Sequence, residues 1–305
     1  MSKAYVFTSD GGPQTEALID VERPSPGPGE LLIAVRAAGV NPVDWKLRSG
    51  LRRPGDGERV FPVVFGSEAA GEVVEAGEGV TGFAVGDEVF GTALNGGYAE
   101  YTLLPAAIAA HKPAALSYAD AATLPVAAAT AYDGVHQLAL PAGATLLITG
   151  AGGGVGVAAV QIAHALGLKV VGVASAAKKE FVESLGAVHV ESGDGWTARV
   201  PGPVDAVYDL VGGKVLQEAA GLVTGPGRLI TAGDPEEVVA ALGGTRVARA
   251  RNAAVLDAVA ELALRGDLNP HITARYPLER AGEALRAVEE GHARGKVVIE
   301  VGGAR

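Results

Sequence analysis

The segment 145–167, TLLITGAGGGVGVAAVQIAHALG, constrains the chain more than any other stretch. A short β-rich run, Thr145–Thr149, enters a cluster in which Gly150, Gly152, Gly153, Gly154 and Gly156 fall within seven residues. An apolar-periodic pattern over Val157–Leu166 leaves the cluster as a helix, and Gly167 supplies a stop. A strand, a glycine turn and a helix in that order aim bare backbone N–H groups and a helix N-terminus at one point. That point suits a pyrophosphate, because the helix dipole and the open amides favour an anion and no Cβ blocks its approach. The context predicts a dinucleotide site. A P-loop is excluded, because no Gly-Lys-Ser/Thr follows the glycines. The bland alternative is a tight turn packed without a ligand.

The next strand refines the ligand. NAD sites place Asp or Glu at its end, about 20 residues beyond the glycines, to hold the ribose 2′-hydroxyl. Here the strand ends Val173-Ala174-Ser175-Ala176-Ala177-Lys178-Lys179, with a hydroxyl and two cations where the carboxylate would stand. A 2′-phosphate is repelled by a carboxylate and attracted by a lysine. Ser175 and Lys178 therefore predict NADPH. The competing explanation is a solvated first helical turn.

Around this unit the pattern changes along the chain. The first ~110 residues carry short alternating or β-branched runs (Ala4–Thr8, Ala17–Val21, Leu31–Ala37, Glu72–Glu75, Glu88–Phe90), split by turns such as Pro24–Gly29. That suits a small barrel-like domain. From about Ala115, strands alternate with helices. Ser117-x-x-Asp120 has the form of a capping box opening an alanine-rich helix. Strands at Lys169–Ser175, Val204–Leu210 and Arg228–Thr231 alternate with helices at Lys178–Leu185 and Val215–Leu222. This is the pattern of a doubly wound parallel sheet. Helices over Ala253–Arg265 and Leu278–Glu290 and a strand over Lys296–Val301 close the sequence. The fold class is α/β, with expected boundaries at 1–114, 115–255 and 256–305.

Composition excludes several functions. The formal charge of -10 opposes non-specific nucleic-acid binding. The absence of cysteine removes disulfides, thiol nucleophiles and thiolate metal sites. The six histidines (His111, His136, His164, His189, His271, His292) form no metal-ligand spacing and read as surface or core residues. No G-x-S-x-G elbow supports a serine nucleophile. No apolar run is long enough for a signal peptide or a membrane span, so a cytoplasmic protein is expected.

Six segments together carry a resemblance. They are Ala38-Gly39-Val40-Asn41-Pro42-Val43-Asp44, Gly66-Ser67-Glu68-Ala69-Ala70-Gly71, Val85-Gly86-Asp87-Glu88-Val89, Thr130-Ala131-Tyr132, Gly150–Gly156 and Asp209-Leu210-Val211-Gly212-Gly213. With them the chain resembles the zinc-free quinone oxidoreductase (zeta-crystallin-like) branch of the medium-chain dehydrogenases/reductases, over essentially its whole length. The resemblance implies a GroES-like β-barrel catalytic domain, a Rossmann domain and a C-terminal return to the first domain. Zinc-dependent relatives carry Cys where Asn41 stands and His where Ser67 stands, together with a four-cysteine lobe. This chain has none of these, so the resemblance implies no bound metal.

The resemblance implies hydride transfer from NADPH to a quinone or to the activated C=C of an enone or enal, where the conjugated carbonyl spreads the developing charge without a Lewis acid. It implies Thr130 near the nicotinamide, Gly150, Gly153, Gly154 and Val155 at the pyrophosphate, and Gly233, Arg294 and Lys296 as later cofactor contacts. Helix or strand ends explain Gly233, Arg294 and Lys296 equally well. Asn41 and Asp44 become catalytic candidates, against a turn residue before Pro42 and a helix cap. Trp45 and Tyr98 become pocket candidates, with core packing the stronger explanation for Tyr98. No convincing general acid stands out. A homodimer is a family-level expectation. An enoyl-thioester reductase and a non-catalytic NADPH-binding protein remain open.

Overall fold

Alternation in the first third becomes strand, and the strands are longer than the pattern suggests. The computed structural model describes residues 1–52, 57–225, 227–291 and 293–302. His292 lies outside them. Strands β1 (Ser2–Phe7), β2 (Glu16–Val21), β3 (Glu30–Val40), β4 (Val63–Val64), β5 (Glu68–Ala76), β6 (Glu88–Thr92), β7 (Tyr101–Pro105) and β8 (Ala109–His111) come first. Strands β9 (Thr145–Thr149), β10 (Lys169–Ala174), β11 (Val188–Glu191), β12 (Ala206–Asp209), β13 (Leu229–Thr231) and β14 (Thr245–Arg246) follow, then β15 (Ile272–Pro277) and β16 (Lys296–Glu300).

By contact density the chain forms two units. One holds Met1–Val126, Arg251–Glu261 and Ile272–Arg305, and the other Ala127–Ala250 and Leu262–His271. In the first, β2-β1-β4 make a small sheet, and β15-β16-β3-β5-β6-β8, with β7 also on β3, make a seven-stranded one. Its strands are antiparallel except for the β15–β16 pair. Leu31, Ile33 and Val35 of β3 alternate inward against Val73 of β5, Val297 and Ile299 of β16, and Leu285 of the helix Ala281–Glu289. Strand β5 begins four residues before the alternating stretch Glu72–Glu75, because Glu68–Gly71 are all buried and show no alternation.

The second unit is a parallel sheet of order β11-β10-β9-β12-β13-β14. Leu147, Val171, Val173 and Val207 of its strands pack on Trp196 and Leu216. Continuous apolar runs suit strands covered on both faces. The alanine-rich segment after Ser117 is not one helix. Ser117 Oγ accepts from Asp120 N at 3.0 Å and opens a turn over Tyr118–Ala121. The chain then widens into a π turn over Leu124–Ala128 before the helix Ala129–Gln137. Pro125 lacks the N–H that a regular ladder needs there.

Candidate functional site

The glycine turn sits where the second unit's strand order reverses, between β9 and β12. Ligands of such sheets bind outside the carboxyl ends of the strands at that point. Gly150 leaves β9 with φ +66, a conformation costly for any side chain. A Cβ on Gly156 would fall 2.3 Å from the Gly150 carbonyl oxygen, so the helix can start this close only with glycine. Gly153 precedes the helix Gly154–Ala165 in extended conformation, and no side chain caps it. The first-turn amides around Gly154 and Val155 thus keep the geometry of an anion cradle. The residues fit a pyrophosphate.

Next to the turn, β10 ends at Ala174, Ser175 is exposed, and Ala176–Lys178 form a single 3₁₀ turn. The stem of Lys178 lies across the glycines: a Cβ on Gly152 would come within 2.6 Å of its Cδ. Gly152 therefore makes room for a lysine. Asp209, fully buried at the end of β12, ties the neighbouring strand ends together. It accepts from Thr149 Oγ1 at 2.7 Å, Thr231 Oγ1 at 2.6 Å and Gly212 N at 3.0 Å. Gly233 N donates to Thr231 Oγ1 at 2.9 Å, so the Gly233 loop hangs from the same carboxylate. Thr130 is buried, with its carbonyl accepting from Tyr208 Oη at 2.8 Å. Arg294 is exposed.

Lys296, a candidate cofactor contact, is held by protein groups. It is 3% exposed within the first unit, where its ammonium donates to Glu68 Oε1 at 2.9 Å, Asn41 Oδ1 at 2.7 Å and the Val40 carbonyl at 3.2 Å. It opens a strand whose next three residues are apolar and buried, and a cation there needs a buried counter-charge. Asn41 is occupied too. Its amide nitrogen donates to Glu68 Oε1 at 2.8 Å, leaving neither end of the amide pointing at open space. The other oxygen of Glu68 accepts from Val126 N at 2.7 Å.

Asp44, on the helix Pro42–Arg48, has a different environment. Its Oδ2 accepts from Asn41 N and Tyr98 Oη, both at 2.9 Å, and its Oδ1 from Ser67 Oγ at 2.8 Å. The contact to Asn41 N is a helix cap, and the other two go beyond capping. Burial pushes the carboxyl up to about 6; the hydrogen bonds pull it down, and the negative charge of Glu68 adds to the rise. Arg48 holds the helix in place, 1% exposed between Glu16 and Glu289.

A cavity of about 400 Å³ in the first unit is lined by Asp44, Ser67, Phe65, Thr92, Leu94 and Asn95, among others. Neither Trp45 nor Tyr98 is among its lining residues. Tyr98 is a core residue, fully buried, whose hydroxyl backs Asp44. Trp45 packs against the core cluster, and its indole N–H is buried with no hydrogen-bond partner among the described residues. The sequence reading missed Glu68 and Ser67 as members of this cluster. The available signal was a charge heading a buried stretch, Glu68 before Ala69–Gly71 in β5 and Lys296 before Val297–Ile299 in β16.

A sheet of order 3-2-1-4-5-6 with an uncapped glycine turn, joined in one chain to a GroES-like β unit, defines a nucleotide-dependent oxidoreductase. Residues 27–114 match the alcohol dehydrogenase GroES-like domain family, and residues 185–299 the zinc-binding dehydrogenase family. The chain is 32% identical to a chloroplast envelope quinone oxidoreductase homolog of Arabidopsis thaliana, over 92% of this chain and 93% of the relative. It is also 32% identical to an NADPH-dependent alkenal/one oxidoreductase of that plant, over 97% and 79%. A mycobacterial structure complexed with NADPH superposes with TM-score 0.86 at 29% identity, covering 98% and 100% of the two chains. The protein belongs to the medium-chain dehydrogenase/reductase superfamily, in its quinone oxidoreductase branch.

The name of the second family implies zinc, and the donor set here does not fit it. The chain has no cysteine. The amide of Asn41 already holds an ammonium, and the Ser67 hydroxyl donates to Asp44. Among the described residues, no three His, Asp or Glu side chains gather as a metal ion requires. No described helix is long and apolar enough to cross a membrane.

Proposed function

We propose that this protein is an NADPH-dependent reductase that delivers hydride to a quinone or to the activated C=C of an enone or enal. The observation that carries the cofactor choice is Lys178 lying over Gly152 at a strand end that offers Ser175 and no carboxylate. The relatives named for NADPH and for quinones or alkenals support the same reading. When bound, NADPH supplies the hydride. The open amides at Gly153–Val155 hold the pyrophosphate, and Ser175 and Lys178 face the 2′-phosphate. Gly150 and Gly233 keep the backbone close to the ligand, and Thr130 lies near the nicotinamide.

The acceptor occupies the cavity above Asp44 and Ser67. Its walls combine apolar side chains such as Phe65 and Leu94 with the polar groups of Asp44, Ser67 and Asn95, a mixture that can orient a flat conjugated carbonyl. Asn41 acts as a positioning residue: it braces Glu68 and the helix that carries Asp44. The test is a spectrophotometric screen of NADPH and NADH oxidation against a quinone, an enone, an enal, an enoyl thioester and a simple aldehyde. NADPH should be consumed with the quinone, enone or enal, and a chelator should not change the rate. Preference for NADH, or turnover confined to the simple aldehyde, would overturn the reading.

A further inference from the structure

The first unit contains a hydrogen-bonded row that hydride delivery alone does not use. Tyr98 Oη donates to one oxygen of Asp44, and Ser67 Oγ donates to the other at 2.8 Å. Asp44 is 1% exposed, yet it and Ser67 both border the cavity. Reduction of a conjugated carbonyl needs a proton as well as a hydride. We propose that Ser67 is the proton donor of the reaction, that Asp44 is the reservoir behind it, and that Tyr98 holds Asp44 in position. This rests on the reductase reading given above.

A hydroxyl has one hydrogen to give and two lone pairs with which to accept. When Asp44 is a carboxylate, the Ser67 hydrogen is spent on Oδ1. When Asp44 is neutral, its own hydrogen bonds Ser67 Oγ, and the serine hydrogen turns toward the cavity. The hydride that bound NADPH would supply makes the new C–H bond at the β-carbon, and the π pair shifts to give an enolate. The enolate α-carbon then takes the Ser67 proton while Asp44 passes its proton to the serine oxygen. With a quinone, the proton goes to the reduced oxygen instead. Asp44 is left as a carboxylate and is reprotonated through Ser67 from cavity water once product leaves. One proton is taken up for each NADPH oxidised.

The charges around Asp44 suit a group that cycles between both forms. Glu68, on β5, is the charged neighbour that acts on it, and it disfavours the carboxylate. Lys296, on β16, is turned to Glu68 and Asn41. Arg48, on the same helix as Asp44, is turned to Glu16 and Glu289. Among the described residues no cation is paired with Asp44 to lock it ionised, and burial holds its carboxyl near 6. The donating state is the neutral one, so the reaction slows as pH rises above that value.

The experiment combines a pH profile with an infrared titration, on the full chain and with folding of each variant checked by circular dichroism. For the wild type, kcat/KM with an enone should fall about tenfold per pH unit above a break near pH 6. The isosteric Ser67→Ala should lose about a hundredfold at low pH, the lower end of what a positioned proton donor contributes, and should flatten the break. Asp44→Asn should also flatten it. Tyr98→Phe should keep the break but move it to higher pH, because one hydrogen bond to the charged form is gone. Without cofactor, the carbonyl band of a protonated carboxyl should bleach with the same midpoint and vanish in Asp44→Asn. The relay is overturned if wild type turns over while Ser67→Ala keeps the wild-type rate and break. It is equally overturned if the band bleaches far from the kinetic midpoint. If wild type reduces no quinone, enone or enal, the reductase reading fails and takes the relay with it.

Discussion

Glu68 and Asp44 are both buried carboxylates, 0% and 1% exposed, and they influence each other, yet they are built for opposite ends. Glu68 faces an ammonium, a side-chain amide and a backbone N–H. Asp44 receives a backbone N–H and two hydroxyls, all neutral. The depth is the same and only the charge of the partners differs. A carboxylate paired with a buried cation is fixed as an ion, whereas one served by neutral donors keeps two protonation states within reach. Burial by itself does not say whether a charge is structural or functional.

The comparison breaks hardest at Lys296. Lys296→Met leaves Glu68 buried without its cation and should cost about 3–5 kcal/mol of stability. Urea unfolding at neutral pH checks this, and adding Glu68→Gln should restore most of the loss. A single variant that unfolds like the wild type would show that the pair does not hold this corner together.

Asp44→Asn should act in the opposite direction. The folded carboxyl, at about 6, holds its proton more tightly than an unfolded one at 3.8. Between those values the native state keeps a proton that the unfolded chain has released. This group's contribution is therefore full below the lower value and is lost as pH rises to the higher one. The variant escapes that loss. It should gain on the order of 3 kcal/mol at most over wild type above pH 7, from ~1.36 kcal/mol per pKa unit, and show no such gain below pH 4. Denaturation across pH 4–8 checks the sign. A gain that does not vary with pH would remove the titrating role from Asp44.

Tyr98→Phe is a milder cut into the same corner. It should cost about 1–2 kcal/mol, chiefly above pH 6 where the hydroxyl serves an ionised partner. An equal cost at pH 5 and pH 8 would contradict the pairing with Asp44. The smallest effect belongs to a lysine whose proposed partner is a ligand. Lys178→Glu should weaken NADPH by about tenfold while sparing NADH, as a fluorescence titration would show, with stability changed by well under 1 kcal/mol.

The glycine turn was legible because its demands are local. Gly150 needs a left-handed backbone and Gly156 needs room beside its own strand end, and both needs show as glycine at fixed spacing. Four of the parallel strands, β9, β10, β12 and β13, were legible as apolar runs, whereas β11 (VHVE) and β14 (TR) carry no such run. The broken helix after Ser117 was less so, since a single Pro125 interrupts an otherwise helical composition. The surroundings of Lys296 were not legible because its partners, Asn41 and Glu68, lie 255 and 228 residues away in sequence. Nothing local distinguishes a lysine reaching a ligand from one reaching a distant carboxylate. Tyr98 followed the blander of its two explanations, core packing, but its hydroxyl found a partner that no spacing rule encodes.

The position of Lys296 also dictates an order of events during synthesis. Strand β16 lies between β15 and β3 in the seven-stranded sheet, and its lysine closes the Glu68 corner. The first unit, though begun at the N-terminus, cannot be completed until residue 296 has left the ribosome. The second unit is nearly continuous in sequence, from Ala127 to Ala250 with a short addition. Contacts between distant residues form late, and domains tend to fold as their segments emerge. The unit whose translation starts first is therefore the one whose residues are complete last. Until then its unpaired edges, and a glutamate destined for burial, wait in water.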